Sequence, residues 1–267
     1  MFLSTTIGGS IRYHLPKIED VIRNLAQKGY QRFDLDLYDP VRKSKFMEAD
    51  WQERLEPIRQ AMEELNVCAS QAHAESGNPL TEPLEDVVAV AERALECCAY
   101  LNIPWVVVHP GGCEGVGQQE FYQKNAEFYK RLIPTIERTG VDVLIENIGA
   151  ENDPYYIRTG EELLYLIEMV GHPKVNACWD TGHANHNMWD QTSSIKALGS
   201  RLKAIHVQDN VGGLALTKEC WRADLHLPPF FGCTNYDMIL NALLDINYQG
   251  TFSFEVEAPK IHPRRPD

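Results

Sequence analysis

Short apolar or alternating runs recur along the chain, each followed by a longer stretch with apolar residues at helical spacing. Phe2 to Ile7 is short and rich in β-branched residues, and Lys17 to Lys28 follows with Ile18, Val21, Ile22 and Leu25 on one face before Gly29. Phe33 to Leu37 alternates like a strand, and Trp51, Leu55, Ile58, Met62 and Leu65 then mark a second helix face. Val67 to His73 predicts a third strand and Leu84 to Leu101 a third helix. Trp105 to Val108 is wholly apolar between Pro104 and Pro110-Gly111-Gly112, the pattern of a parallel strand buried on both faces. Phe121 to Thr139 predicts a fourth helix and Val141 to Glu146 a fifth strand. Thr159 with Glu162 three positions on is a capping box, opening a helix to about Val170. Val175 to Asp180, Ala204 to Gln208 and Thr251 to Glu255 complete the strands. A weaker helix lies near Gln191 to Leu198, and a clearer one carries Tyr236, Ile239, Leu240, Leu243 and Ile246. The longest irregular stretches, Gly182 to Asp190 and Asp209 to Gly232, both follow strands.

Strand and helix alternating about eight times predict an α/β fold, a single (β/α)8 TIM barrel covering residues 1–267 as one domain. A doubly wound sheet would carry a Gly-rich phosphate loop after its first strand. Ile7-Gly8-Gly9-Ser10 stands there instead, so no dinucleotide or other organic cofactor is expected. The length of 267 residues, 44% apolar and 24% charged, suits a globular domain of this size. The formal net charge of −13 disfavours nucleic acid and anionic membranes as partners. No apolar run approaches the roughly 20 residues of a membrane span. Met1 to Thr6 lacks the basic flank and long apolar stretch of a secretion signal, and the expected location is cytoplasmic. The seven cysteines include no C-x-x-C pair, and most are expected to be buried small apolar residues.

The chemistry gathers where strands end. The third strand ends at His73, the fourth at His109, the fifth at Glu146, the sixth at Asp180, the seventh at His206 and the eighth at Glu255. In a barrel these ends converge on one mouth. Imidazoles and carboxylates delivered there share one cheap partner, a divalent cation. Each residue alone has a plainer assignment: His73 as a hydrogen-bonded core group, His109 or Asp180 as a cap, Glu146 as a salt-bridge partner. Asp34 and Asp36 on the second strand are assigned to solvent or to an Arg32 or Arg42 partner, with the mouth as the alternative. Six such coincidences at one end of a barrel favour the shared site.

Ile145-Glu146-Asn147, Trp179-Asp180-Thr181-Gly182-His183, Ala204-Ile205-His206-Val207-Gln208-Asp209, Asp224-Leu225-His226-Leu227-Pro228 and Phe254-Glu255-Val256 resemble motifs of the xylose-isomerase-like barrels. That superfamily includes sugar isomerases, ketose 3-epimerases, inosose dehydratases and the endonuclease IV-type nucleases (AP endonuclease family 2). The resemblance runs from Phe2 to Glu257. In the epimerase branch it implies one Mn²⁺, Mg²⁺ or Co²⁺ held by Glu146, Asp180, His206 and Glu255, with the two glutamates as acid/base pair. In the nuclease branch it implies three zinc ions on His73, His109, Glu146, Asp180, His183, His206, Asp224, His226 and Glu255. This chain departs from the nuclease pattern after Glu146, where Asn147 leads into Ile148-Gly149-Ala150-Glu151, and in the loop after His206, and it lacks a basic excess.

The resemblance and the strand-end pattern together predict a metal-dependent sugar isomerase or epimerase. It would act by proton transfer next to a carbonyl through a metal-stabilised enediolate. The alternatives are an endonuclease IV-type zinc phosphodiesterase and an inosose-type dehydratase. The expected cofactor is a divalent metal (Mn, Mg, Co or Zn) and the expected partner a small sugar or polyol, with a homo-oligomer compatible. His73, His109, His183, Asp224, His226 and Arg222 are assigned to substrate or to additional metal. Trp179, Trp221, Phe230 and Phe231 are candidates for an apolar wall, with core packing the favoured role for Trp179.

Overall fold

The structure is a computed structural model that describes residues 1–8, 17–37, 45–74, 77–148, 155–186, 189–212 and 225–256. Eight parallel strands close into a barrel in the order β1 to β8. They are β1 (Phe2–Thr6), β2 (Arg32–Asp36), β3 (Cys68–His73), β4 (Trp105–Val107), β5 (Asp142–Glu146), β6 (Val175–Asp180), β7 (Leu202–Val207) and β8 (Thr251–Phe254). Closure runs through β1, which pairs with β2 at Thr5↔Phe33 and with β8 at Ser4↔Ser253. The α-helices among the described residues are α1 (Ile18–Gln27), α2 (Trp51–Leu65), α3 (Leu84–Tyr100), α4 (Gln118–Arg131), α5 (Ile133–Thr139), α6 (Gly160–Val170), α7 (Thr181–His186), α8 (Gln191–Leu198) and α9 (Tyr236–Asp245). None of them is long and apolar enough to cross a membrane.

Two departures from the sequence pattern have local causes. The single helix expected over Phe121 to Thr139 is two, α4 and α5, with Leu132 as the cap between them and Pro134 in the first turn of α5. Proline has no N–H to continue the ladder and disfavours helical backbone at the preceding residue. The stretch from Gly182, expected to be irregular, opens with α7, whose first turn is capped by Asp180. The capping box is as expected: Thr159 Oγ1 accepts from Glu162 N and Glu162 Oε2 from Thr159 N, both at 3.2 Å.

Most of the apolar core lies between barrel and helices, where Trp179, Phe33, Phe121 and Leu95 are fully buried. Trp179 is thus a core residue, its Nε1 donating to Gln191 Oε1 at 3.3 Å. Inside the barrel the filling is split. Val107, Leu144, Cys178 and Ala204 make a separate apolar cluster against Trp105 on the β4–β7 side. On the β8–β3 side the buried side chains are Ser4, Asp34, Gln71, Thr251 and Ser253. Of the six described cysteines, all free, Cys97, Cys98 and Cys178 are buried while Cys68 and Cys233 are exposed, so burial accounts for half of them.

Helix α6 begins tight against α8. A Cβ on Gly160 would lie 2.1 Å from the Ser194 carbonyl oxygen, a backbone atom that cannot rotate away. Gly160→Ala is expected to destabilise the protein by about 1–3 kcal/mol or more through overpacking, read as a lower denaturant midpoint at unchanged slope.

Candidate functional site

Period-2 alternation decides which side chains reach the mouth. On β5, Val143 and Ile145 face the helices, so Glu146 turns inward at the strand's end; the same parity carries Asp180 on β6 and His206 on β7. His109 lies two residues beyond β4, and Glu255 one beyond β8, where its N–H donates to Val207 O at 3.0 Å. Ligand-type atoms of Glu146, Asp180, His206 and Glu255 lie within 4.8 Å of one another. A second such group is His73, His109 and Glu146, and a third is Glu146, Cys178 and His206. Burial pushes the Cys178 thiol up to about 12, so it is neutral and a poor ligand near neutral pH.

Glu146 is buried and touches four imidazoles. Its Oε2 is 3.1 Å from His109 Nε2 and 3.4 Å from His73 Nε2. Its Oε1 is 3.3 Å from His206 Nδ1 and 3.4 Å from His183 Nδ1. Burial opposes ionisation here, but these rings outweigh it and hold the carboxyl well below its usual range. The converse holds for His73: burial disfavours its charge, yet Glu146 raises its pKa to about 9. His109, partly buried and next to His73, is shifted down by desolvation first and by His73 second. Burial also opposes charge on Glu255, but His206, with Nδ1 3.1 Å away, keeps its pKa at about 2. Asp180 goes the other way: burial lifts it to about 6, with Glu146 and Glu255 adding to the rise and His183 opposing it.

Neighbouring amides fix these groups. Asn147 clamps β5 to β6, accepting from Asp180 N at 2.6 Å and donating to Asp180 O at 3.0 Å, while its carbonyl accepts from His183 Nδ1 at 2.9 Å. Asp180 caps α7 by accepting from His183 N at 2.6 Å, so the plainer role assigned to it is present within the cluster. Gln208 donates to Asp180 at 3.3 Å, and its side chain occupies the space that a Cβ on Gly182 would take. Asp209 ties the returning loop: its backbone pairs with Leu227, and its carboxylate accepts from Gly232 N at 2.9 Å and Thr234 N at 3.0 Å. His226, at φ 47°, thereby reaches the site, with Nδ1 3.1 Å from Glu255 O.

The described site therefore holds Glu146, Asp180, His206 and Glu255 together, with His73, His109, His183 and His226 around them. Asp224, Arg222 and Trp221 lie outside the described residues. Phe230 and Phe231 are 78% and 66% exposed and form no wall. Asp34 and Asp36 correct the sequence reading. They are 1% and 6% exposed, inside the barrel, because their parity is that of His73 rather than of the helix-facing Phe33 and Leu35. Arg32 at the far end of β2 stacks on Phe2 instead, its guanidinium carbon 4.1 Å from the ring centroid; Arg42 lies outside the described residues. Asp36 is pushed up to about 7, by burial first and by Asp34 second. The sequence reading missed Gln71, Asn147 and Gln208 as site residues. A signal existed for each, since Gln71 is two positions before His73 and the other two sit inside the quoted motifs.

The donor set fits a hard or borderline divalent cation. His206 Nδ1 is buried, faces two carboxylates and has no well-directed hydrogen-bond partner. Among the described residues no Lys or Arg neutralises Glu146, Asp180 or Glu255.

A family model described as a xylose isomerase-like TIM barrel matches residues 22–267. A relative named "Probable endonuclease 4" from Chloroflexus aurantiacus is 26% identical over 194 residues, 68% of this chain and 66% of that protein, so less than two thirds of the relative's length is spanned. Among solved structures, a D-tagatose 3-epimerase-like protein superposes with a TM-score of 0.78 at 18% identity, covering 96% of this chain and 91% of its own. An IolI protein with a bound zinc atom gives 0.78 at 17%, covering 97% and 90%. With the family model covering residues 22–267 of a closed eight-stranded barrel, the chain belongs to the xylose isomerase-like TIM-barrel family.

Proposed function

We propose that this protein is a divalent-metal-dependent isomerase or epimerase of a small sugar or polyol, working by proton transfer at a carbon beside a carbonyl. One observation carries the reading: the ligand-type atoms of Glu146, Asp180, His206 and Glu255 share a volume 4.8 Å across at the ends of the strands, where active sites of this fold are built. Three carboxylates and an imidazole suit Mn²⁺, Mg²⁺, Co²⁺ or Zn²⁺. When bound, the ion supplies a positive charge that stabilises negative charge developing on a carbonyl oxygen.

The chain's own groups do the rest. Glu146 and Glu255 are held ionised by their imidazole neighbours, as a proton acceptor must be. They come from β5 and β8 and approach the shared volume from different strands, so one removes a proton and the other returns one. His183 and His226, each tethered through Nδ1 to a backbone carbonyl, are placed to bind substrate hydroxyls. The epimerase-like and IolI structures support this reading through the fold they share with this chain. The partner is a small sugar or polyol, and nucleic acid is not expected at a net charge of −13.

A second reading has its own support. His73 and His109 with Glu146 form a further ligand group, and the curated relative is named as an endonuclease. This is the zinc phosphodiesterase, which requires several ions and a grip on phosphates.

Metal analysis of the purified protein is expected to give about one divalent ion per chain, and solvent deuterium is expected to enter the sugar at the epimerised carbon. Glu146→Gln should abolish that exchange while the melting temperature stays near wild type; retained exchange removes Glu146 from the reaction. About three zinc ions with cleavage of abasic DNA would replace this reading by the second. Metal affinity should also rise with pH. His73, at about 9, and His206, raised above the ordinary imidazole value, carry protons that a cation at Glu146 and His206 displaces. Binding therefore tightens between pH 6.5 and 9 by about tenfold per pH unit for each proton released, and calorimetry in buffers of different ionisation enthalpy counts the protons.

A further inference from the structure

His206 is fully buried, so both of its ring nitrogens must be accommodated inside the barrel. Nδ1 faces Glu146 and Glu255. Nε2 faces the opposite way, into the polar layer beneath the site, where Gln71 Nε2 is 2.8 Å away and Asp34 Oδ2 is 3.4 Å away. Gln71 Nε2 also donates to Asp34 Oδ2 at 2.5 Å, and Ser253 Oγ donates to the same oxygen at 3.3 Å. Asp34 Oδ1 and Gln71 Oε1 are buried without hydrogen-bond partners. A carboxylate held in a barrel floor by neutral donors is costly, and its position needs a reason.

We propose that Asp34 and Gln71 are positioning residues that set which nitrogen of His206 is free to bind metal, an inference that rests on the metal-dependent reading above. Once the proton that a cation displaces has gone, His206 is a neutral imidazole with one N–H left. With the proton on Nε2, the Nδ1 lone pair points between Glu146 and Glu255; with it on Nδ1, no ligand atom is presented there. The hydrogen bond made by the second nitrogen decides between the two. Asp34 and Gln71 compete for Nε2. The carboxylate accepts an Nε2–H and favours the ligating tautomer. The amide donates to a bare Nε2 and favours the other, and it also engages the Asp34 oxygen that would take the proton. A cation at Nδ1 selects the Asp34-bonded form, so the two residues act with opposite sign on metal affinity.

The test is zinc affinity by chelator competition, with the melting temperature of the metal-free protein measured alongside. Asp34→Asn is expected to weaken zinc binding about 10–100-fold, and Gln71→Met to leave it equal or tighter, with both proteins melting within a few degrees of wild type. A merely structural role would weaken both variants together, and that result, or an unchanged affinity in Asp34→Asn, overturns the inference. Nitrogen-15 spectra of zinc-loaded wild type give a check that needs no variant to fold: His206 should show a hydrogen-bonded Nε2–H and a metal-shifted Nδ1, and the reverse assignment overturns it. No zinc binding by wild type would sink the metal reading and the pair's role with it, whereas binding by wild type with unaffected variants sinks the pair alone.

Discussion

Carboxylates crowded into a space with little water govern everything else at the mouth of this barrel. Each of Glu146, Asp180 and Glu255 pays for burial and for the nearness of the other two. The chain meets that cost locally and unevenly. Glu146 is ringed by four imidazoles, Glu255 has His206, and Asp180 has a helix N–H and a glutamine amide. Asp180 and Asp36, with weaker counter-charges, are the ones lifted toward neutral pH. All these partners are rings and amides of nearly fixed shape, and none is a long flexible cation. Among the described residues the site is therefore built from rigid groups and holds no Lys or Arg, as a metal pocket is expected to.

The split filling of the barrel follows from the same constraint. Beneath the β4–β7 side, Val107, Leu144, Cys178 and Ala204 pack as an ordinary apolar layer. That layer gives Glu146 and Asp180 a dry, unyielding floor. Beneath the β8–β3 side lie Ser4, Asp34, Gln71 and Ser253, and this is where the second nitrogen of His206 points. A wholly apolar barrel would be more stable, yet would leave Nε2 unpaired. The polar half of the interior is therefore tied to the site above it.

Much of this was legible in the sequence because a parallel barrel strand has a strong signature. It is buried on both faces, ends abruptly, and puts its last inward residue at the mouth. Val175 to Asp180 matches its strand residue for residue, and the histidines and carboxylates read at the strand ends all reach one region. The reading failed where burial and polarity conflict. Residue type assigns Asp34 and Asp36 to solvent or an arginine, because aspartate is rarely inside, whereas their alternation with Phe33 and Leu35 turns them inward. The split of α4 from α5 at Pro134 is hidden in the sequence because the apolar spacing continues across the break. Gln71, Asn147 and Gln208 carry one signal only, their place beside the strand-end residues, because an uncharged amide reads alike at a site and elsewhere.

The pair His73 and His109 is where one sequence serves two chemistries, and protons separate them. Their Nε2 atoms are 3.1 Å apart, a separation that suits two nitrogens on one ion and equally a proton lying between two rings. A second ion needs both lone pairs bare. In the metal-free site the two rings are driven apart instead: His73 is raised to about 9 beside Glu146, and His109 is shifted down by burial and by its neighbour's charge. Both Nε2 atoms also lie within 3.4 Å of Oε2 of Glu146, so a proton held on the pair engages that oxygen, while Oε1 faces His206 and His183. A single carboxylate thus serves two groups, one oxygen toward the imidazole pair and one toward the ligand group, and the proton on the pair is what an ion bound there would displace.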